Sequence, residues 1–160
     1  MTTLIIVLVA VLVLAVIASL VLNPILQKRG DTAIADAREA LGGRENVVLI
    51  EPKAVGHGSE PEEAGGLRGQ GVLAVSERAL VFVTWAPRKT FKLDRWSIDG
   101  VTTSAPDART LDKATIELSF EFENAPAKVS FRVPEVARWL DALGFDWGPE
   151  GPPTFDDDEA

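Results

Sequence analysis

Four cationic side chains stand within eight positions, Arg88, Lys89, Lys92 and Arg95, the densest basic cluster in the chain. Guanidinium and ammonium groups at that density suit anionic lipid headgroups or an acidic partner surface. Each cation near a charged membrane contributes about 1 kcal/mol. Strand periodicity sends Arg88, Thr90 and Lys92 to one side, which equally describes the solvated face of a strand. Other candidates are sparser. His57 is the only histidine and has Ser59 close by, but a glycine-rich loop supplies no third group to orient a base, so His57 reads as solvated. Cysteine is absent, which excludes disulfide staples and thiolate-ligated metals. Asp156–Glu159 is a run of carboxylates, not the spaced ligands around a central glycine that calcium needs. The expectation is a binding protein rather than an enzyme, with no catalytic residues, no cofactor and no metal. A net charge of −8, with no basic stripe interleaved with aromatics, argues against nucleic acid.

The elements that position these groups begin with Leu4–Leu22, a 19-residue run apolar except for Ser19. As a helix it spans roughly 28 Å, the thickness of a hydrocarbon core. Met1-Thr2-Thr3 lacks the basic start of a secretory signal, and the run exceeds the usual 7–15 residues of such a signal. Residues 1–23 are therefore expected to be a single transmembrane anchor. Lys28, Arg29, Arg38 and Arg44 follow it and no charge precedes it. The positive-inside rule then leaves the N-terminus outside and the domain in the cytoplasm, at the inner (plasma) membrane. Residues 24–45 form a juxtamembrane linker with a short helix over Asp31–Leu41, capped by Asp31 and ended by Gly42-Gly43. Its apolar face is small: Ile34, Ala37 and Leu41. Residues 148–160 hold five of the 24 acidic side chains and read as a disordered tail. Residues 28–147 then keep 19 acids against 16 bases, nearly balanced.

Residues 46–147 read as one domain of short strands. Asn46–Val55 is the first, and Gly56–Gly69 is a Gly/Glu/Pro-rich loop. Gly71–Val75 and Ala79–Trp85 are apolar and flank a tight turn at Ser76-Glu77-Arg78. Lys89–Leu93 alternates. Trp96–Thr103 is a fifth strand, bulged at Gly100. Ala105–Asp112 is a polar loop. Ile116, Leu118, Phe120 and Phe122 alternate with polar residues, and Val129, Phe131 and Val133 alternate on a seventh strand after a turn at Asn124-Ala125-Pro126. A helix from Pro134 to Gly144 carries Val136, Trp139, Leu140 and Leu143 as one stripe. Of the other tryptophans, Trp85, Trp96 and Trp147 are open to recognition roles.

The hairpin Leu67-Arg68-Gly69-Gln70-Gly71-Val72-Leu73-Ala74-Val75-Ser76, then Arg78-Ala79-Leu80-Val81-Phe82, resembles that of bacterial pleckstrin-homology-like (GRAM-like) domains. Phe131-Arg132-Val133-Pro134 leading to Arg138-Trp139-Leu140 resembles their last strand and helix. The resemblance covers about residues 46–145. It implies a mainly β fold, a seven-stranded, partly open barrel of two antiparallel sheets plugged by a C-terminal helix. It also implies a binding module, which here would be an adaptor presented to a protein partner. Relatives that bind phosphoinositides use a first-strand Lys and a basic-x-Arg on the second strand. Lys53 and Arg68 match that pattern, but Gln70 replaces the second Arg, and Glu60, Glu62 and Glu63 oppose a phosphate.

Overall fold

The computed structural model describes residues 27–104 and 113–145. Leu4–Leu22, the loop Ala105–Asp112, Trp147 and the acidic segment 148–160 lie outside the described residues. Among the described residues no helix is long and apolar enough to cross a membrane.

The first described element is helix α1, residues 27–40. Asp31 lies within it rather than capping it, and the Thr32 hydroxyl donates back to the Lys28 carbonyl at 2.7 Å. Its end is the expected one. Gly42 turns left-handed (φ 86°), the Gly43 amide donates to Arg38 O and the Gly42 amide to Glu39 O. This is the paired bonding of a glycine-terminated helix.

Seven strands follow: β1 (Val47–Glu60), β2 (Arg68–Ser76), β3 (Ala79–Thr84), β4 (Thr90–Asp94), β5 (Ile98–Ser104), β6 (Lys113–Phe122) and β7 (Ala125–Pro134). They join, all antiparallel, into one curled sheet of order β4-β3-β2-β1-β7-β6-β5, a half-barrel rather than two separate sheets. The long β1 makes this possible. It pairs with β2 from Val47 to His57 and with β7 from Val55 to Glu60. The open ends are β4 and β5, consecutive in the chain and joined by a single 3-10 turn, Arg95–Ser97.

Half of the stretch expected as a loop at Gly56–Gly69 is therefore strand: its start belongs to β1, its last two residues to β2, and Glu62–Ala64 form a 3-10 turn between them. Gly56 is required by its neighbours: a Cβ there would press into the Leu67 carbonyl and lie 2.7 Å from the Phe82 ring. Gly71 faces the same ring at 2.8 Å. The two glycines open the space that Phe82 fills, with Phe131 5.2 Å away between ring centres. The turn between β6 and β7 also shifts. Glu123 and Asn124 both have positive φ (52° and 62°), as a two-residue hairpin turn demands, and Ala125 and Pro126 already belong to β7. The strand irregularity expected at Gly100 is present as a register shift between Ile98 and Gly100.

Two apolar clusters hold the molecule. Inside the curl, Leu73, Val75, Leu80, Phe82, Ile116, Leu118, Val129 and Phe131 pack with the stripe of helix α2 (Val136–Leu143). All four stripe residues are buried, with Trp139 2% exposed. Pro134 ends β7 rather than starting α2, and Gly144 (φ 72°) closes the helix as expected. On the outside, Val72, Ala74, Ala79, Val81 and Val83 cluster with Ala33, Ala37 and Leu41 of the α1 segment. Both faces of β2 and β3 are thus covered, so every residue of β3 is buried. Strands covered on both faces read as unbroken apolar runs, which accounts for the sequence of this hairpin.

Candidate functional site

The four clustered cations do not form one patch. Each is drawn to a different neighbour along β4. Arg88 pairs with Asp36 on α1 at 3.3 Å, and the Lys92 ammonium donates to the Ala40 carbonyl at the end of α1 at 3.3 Å. Arg95, in the 3-10 turn, donates from Nε to the Leu143 carbonyl at 3.3 Å. A cation at a helix C-terminus meets the negative end of the helix dipole, a stabilising placement. The Lys89 amide donates to the Thr84 hydroxyl at 3.0 Å, while its side chain borders a shallow cleft. That cleft, about 300 Å³, lies between the β1–β2 and β3–β4 connections and includes Ser59, Glu62, Arg68, Thr84 and Pro87.

The phosphoinositide pattern is not assembled either. Lys53 lies at the β1 irregularity between Glu51 and Ala54, whereas Arg68 pairs across from His57. Four strand residues separate the two positions, roughly 13 Å. Arg68 is ion-paired with Glu62 at 3.4 Å, both side chains well exposed. Such a pair contributes little to stability, but its carboxylate competes with any anionic ligand for the guanidinium.

His57 lies in β1 rather than in a loop. Arg68 of β2 stands beside it in register, and Arg132 of β7 pairs with nearby Val55. Its Nε2 is buried and has no hydrogen-bond partner among the described residues. Burial, then the charges of Arg132 and Arg68, hold its pKa below the ordinary imidazole value. That Nε2 thus has no acidic partner among the described residues to orient it as a base. Ser59 is occupied structurally, its hydroxyl accepting the Gly66 amide at 2.9 Å. Ser76 is likewise a turn residue, accepting the Arg78 and Ala79 amides. Among the described residues no group of His, Asp and Glu side chains is placed to hold a metal ion.

Two features emerge that sequence periodicity does not reveal. Trp96, expected within a strand, sits on the 3-10 turn and is 73% exposed. It stands between the two unpaired sheet ends. Trp85 lies beside Gly30, where an added Cβ would be 3.9 Å from its ring, so the β3–β4 connection adjoins the start of the described α1. Its indole Nε1 is buried without a partner among the described residues. No protein-family model matches this chain, and no curated protein matches it.

Proposed function

We propose that this protein is a membrane-anchored adaptor, in which a pleckstrin-homology-like domain meets a protein partner at the open end of its sheet. Trp96 is the observation that carries this reading. It is one of two large apolar side chains exposed among the described residues, the other being Val48. Tryptophans of this kind are the commonest anchors of protein interfaces. Here the ring stands beside β4 and β5, which have no further strand on their outer edges among the described residues, so an added strand could pair there.

The strand order and the helix plugging the curl support the fold assignment. The packing of α1 supports tethering. Residues 27–41 follow the apolar run in sequence and pack on the outer sheet face, so this part of the arm is fixed to the domain rather than loose. In this reading Leu4–Leu22 spans the inner membrane and the domain is cytoplasmic. Anchoring then raises the local concentration of the domain near membrane-bound partners.

The alternative, contact with anionic lipid, has one supporting observation. The β3–β4 connection carrying Arg88 and Lys89 adjoins Gly30, the α1 end nearest the apolar run. Lys92 and Arg95 donate instead to the Ala40 and Leu143 carbonyls.

A photo-crosslinking residue at exposed position 99, three residues from Trp96, in the full chain and activated in intact membranes, should capture one partner. Trp96→Ala should abolish its recovery while leaving stability unchanged within about 0.5 kcal/mol, as for other exposed sites. Unchanged recovery would sink the Trp96 reading. Removing residues 1–26 should move the chain to the soluble fraction. If it then floats with anionic vesicles in a salt-sensitive way, the lipid reading replaces it.

A further inference from the structure

Two arginines flank the chain's single histidine on the outer face of the sheet, on three neighbouring strands. Gly56 of β1 and Phe131 of β7 pair with each other and face the Phe82 ring inside the curl, so the adjacent His57 and Arg132 face outward. Arg68 of β2 stands directly opposite His57 and shares its face. The outer cluster under α1 takes Val72 and Ala74 from β2 and does not include Arg68. Gly58, at the β1 irregularity, draws the cations together. A Cβ there would lie 2.8 Å from Arg68 Nε, so the Arg68 stem lies over β1, the strand between β2 and β7.

Three polar demands meet at this spot. His57 Nε2 is buried with no partner among the described residues. Arg132 is half-buried and pairs with no carboxylate among them. Arg68 holds Glu62 at 3.4 Å with both side chains largely exposed, a weak pair that an incoming anion displaces. The charges of Arg132 and Arg68 both act on the imidazole. Further along, β1 itself carries Lys53 and Glu60, the latter opposite Lys128. A buried polar atom without a partner is costly, and folded proteins rarely leave one so. Water would satisfy Nε2 alone and leave the two like charges facing each other. A tetrahedral oxyanion accepts from Nε2–H and from both guanidinium groups at once, and arginine's fork fits it in bidentate fashion.

We propose that Arg68, His57 and Arg132 form a binding site for a phosphate monoester on the outer face of β2, β1 and β7. The set differs from the pattern of a first-strand Lys with a basic pair on the second strand: Lys53 takes no part, and β7 supplies one of the two guanidinium groups. Negative charge placed beside the imidazole favours its protonated form. Ester binding and proton uptake at His57 are therefore linked. The bound ester raises the pH at which His57 titrates, and by the same factor the ester binds more tightly as pH falls.

His57 is the only histidine, so its ring signals in the full chain, held in uncharged detergent, report one site. Sulfate, which stays doubly charged throughout the titration, is the first probe. At matched ionic strength it should raise the His57 midpoint by about 0.5 pH unit or more over chloride, which is about threefold tighter binding to the protonated form. Arg132→Gln and Arg68→Gln should each raise the midpoint in chloride, by removing a like charge, and should each at least halve the sulfate effect. In mildly alkaline solution, signal shifts at His57 and Arg132 with glycerol phosphate assign the site to a free ester. The same shifts only with phosphatidic acid in bicelles assign it to a lipid headgroup. Three results would each overturn the proposal: an equal midpoint in sulfate and chloride, a sulfate effect undiminished in both arginine variants, or no shift with either ester.

Discussion

Replacing Ala37 by Leu tests whether α1 belongs to the domain. Ala37 is fully buried in the outer cluster, where its small side chain lets the helix approach the sheet. Leucine adds three carbon atoms to a packed contact, and overpacking of this kind costs about 1–3 kcal/mol. Ala35, two positions earlier, is exposed. Leucine there has nearly the same helix propensity as alanine and should be neutral within about 0.5 kcal/mol. The difference between the two variants therefore isolates docking from helix formation. With a urea slope near 1.5 kcal/mol per molar, the expected shift in midpoint for Ala37→Leu is roughly 0.7–2 M. Fluorescence of buried Trp139 reports the transition, and hydrogen exchange across residues 27–41 should accelerate. If the two variants unfold together and exchange alike, α1 is not packed as described, and the fixed-arm argument falls with it.

Four further outcomes follow from local geometry. Because the His57 pKa is lowered, the folded state binds fewer protons than the unfolded chain just below the ordinary imidazole range. Stability should therefore fall as pH drops through that range, and His57→Gln should flatten this part of the pH profile. Gly71→Ala should cost about 1–3 kcal/mol by thermal unfolding, since its methyl would meet the Val83 carbonyl and the Phe82 ring. Arg95→Ala removes the bond to Leu143 O and should destabilise by about 1–2 kcal/mol, with faster exchange confined first to α2. Replacing Glu123-Asn124 by Asn-Gly should stabilise the hairpin by about 0.5–1 kcal/mol, because both positions hold positive φ. Unchanged melting in this last variant would contradict the turn geometry.

Much of the sheet was legible because it obeys period two. Ile116 to Phe122 and Val129 to Val133 alternate, and their apolar members all face the inner cluster. The runs Gly71–Val75 and Ala79–Trp85 were legible as strands, but what covers their second face was not. The cover is built largely from Ala33 and Ala37, residues whose methyl groups carry almost no pattern signal. Gly56 and Gly58 suggested a loop because glycine usually marks flexibility. At Gly56 the cause is crowding by Phe82 and Leu67. The partners of the basic cluster were not legible for a different reason. Neighbours in sequence along β4 diverge in space, Lys92 toward α1 and Arg95 toward α2. The basic side chains that do meet come from positions 57, 68 and 132, a grouping that only the strand register creates.

The pairing of β1 with both β2 and β7 also divides the chain by the distance its contacts must span. From α1 through β4 every strand pairs with its neighbour, and the outer cluster draws on residues 33 to 85 alone. The β5-β6-β7 meander is equally local. Of the strand pairings, only the β1–β7 ladder, Val55 with Arg132 through Glu60 with Lys128, joins the two halves, across more than sixty residues. Closing such a loop carries the largest entropic cost in the molecule. The half-barrel is therefore expected to fold as two local units that meet late.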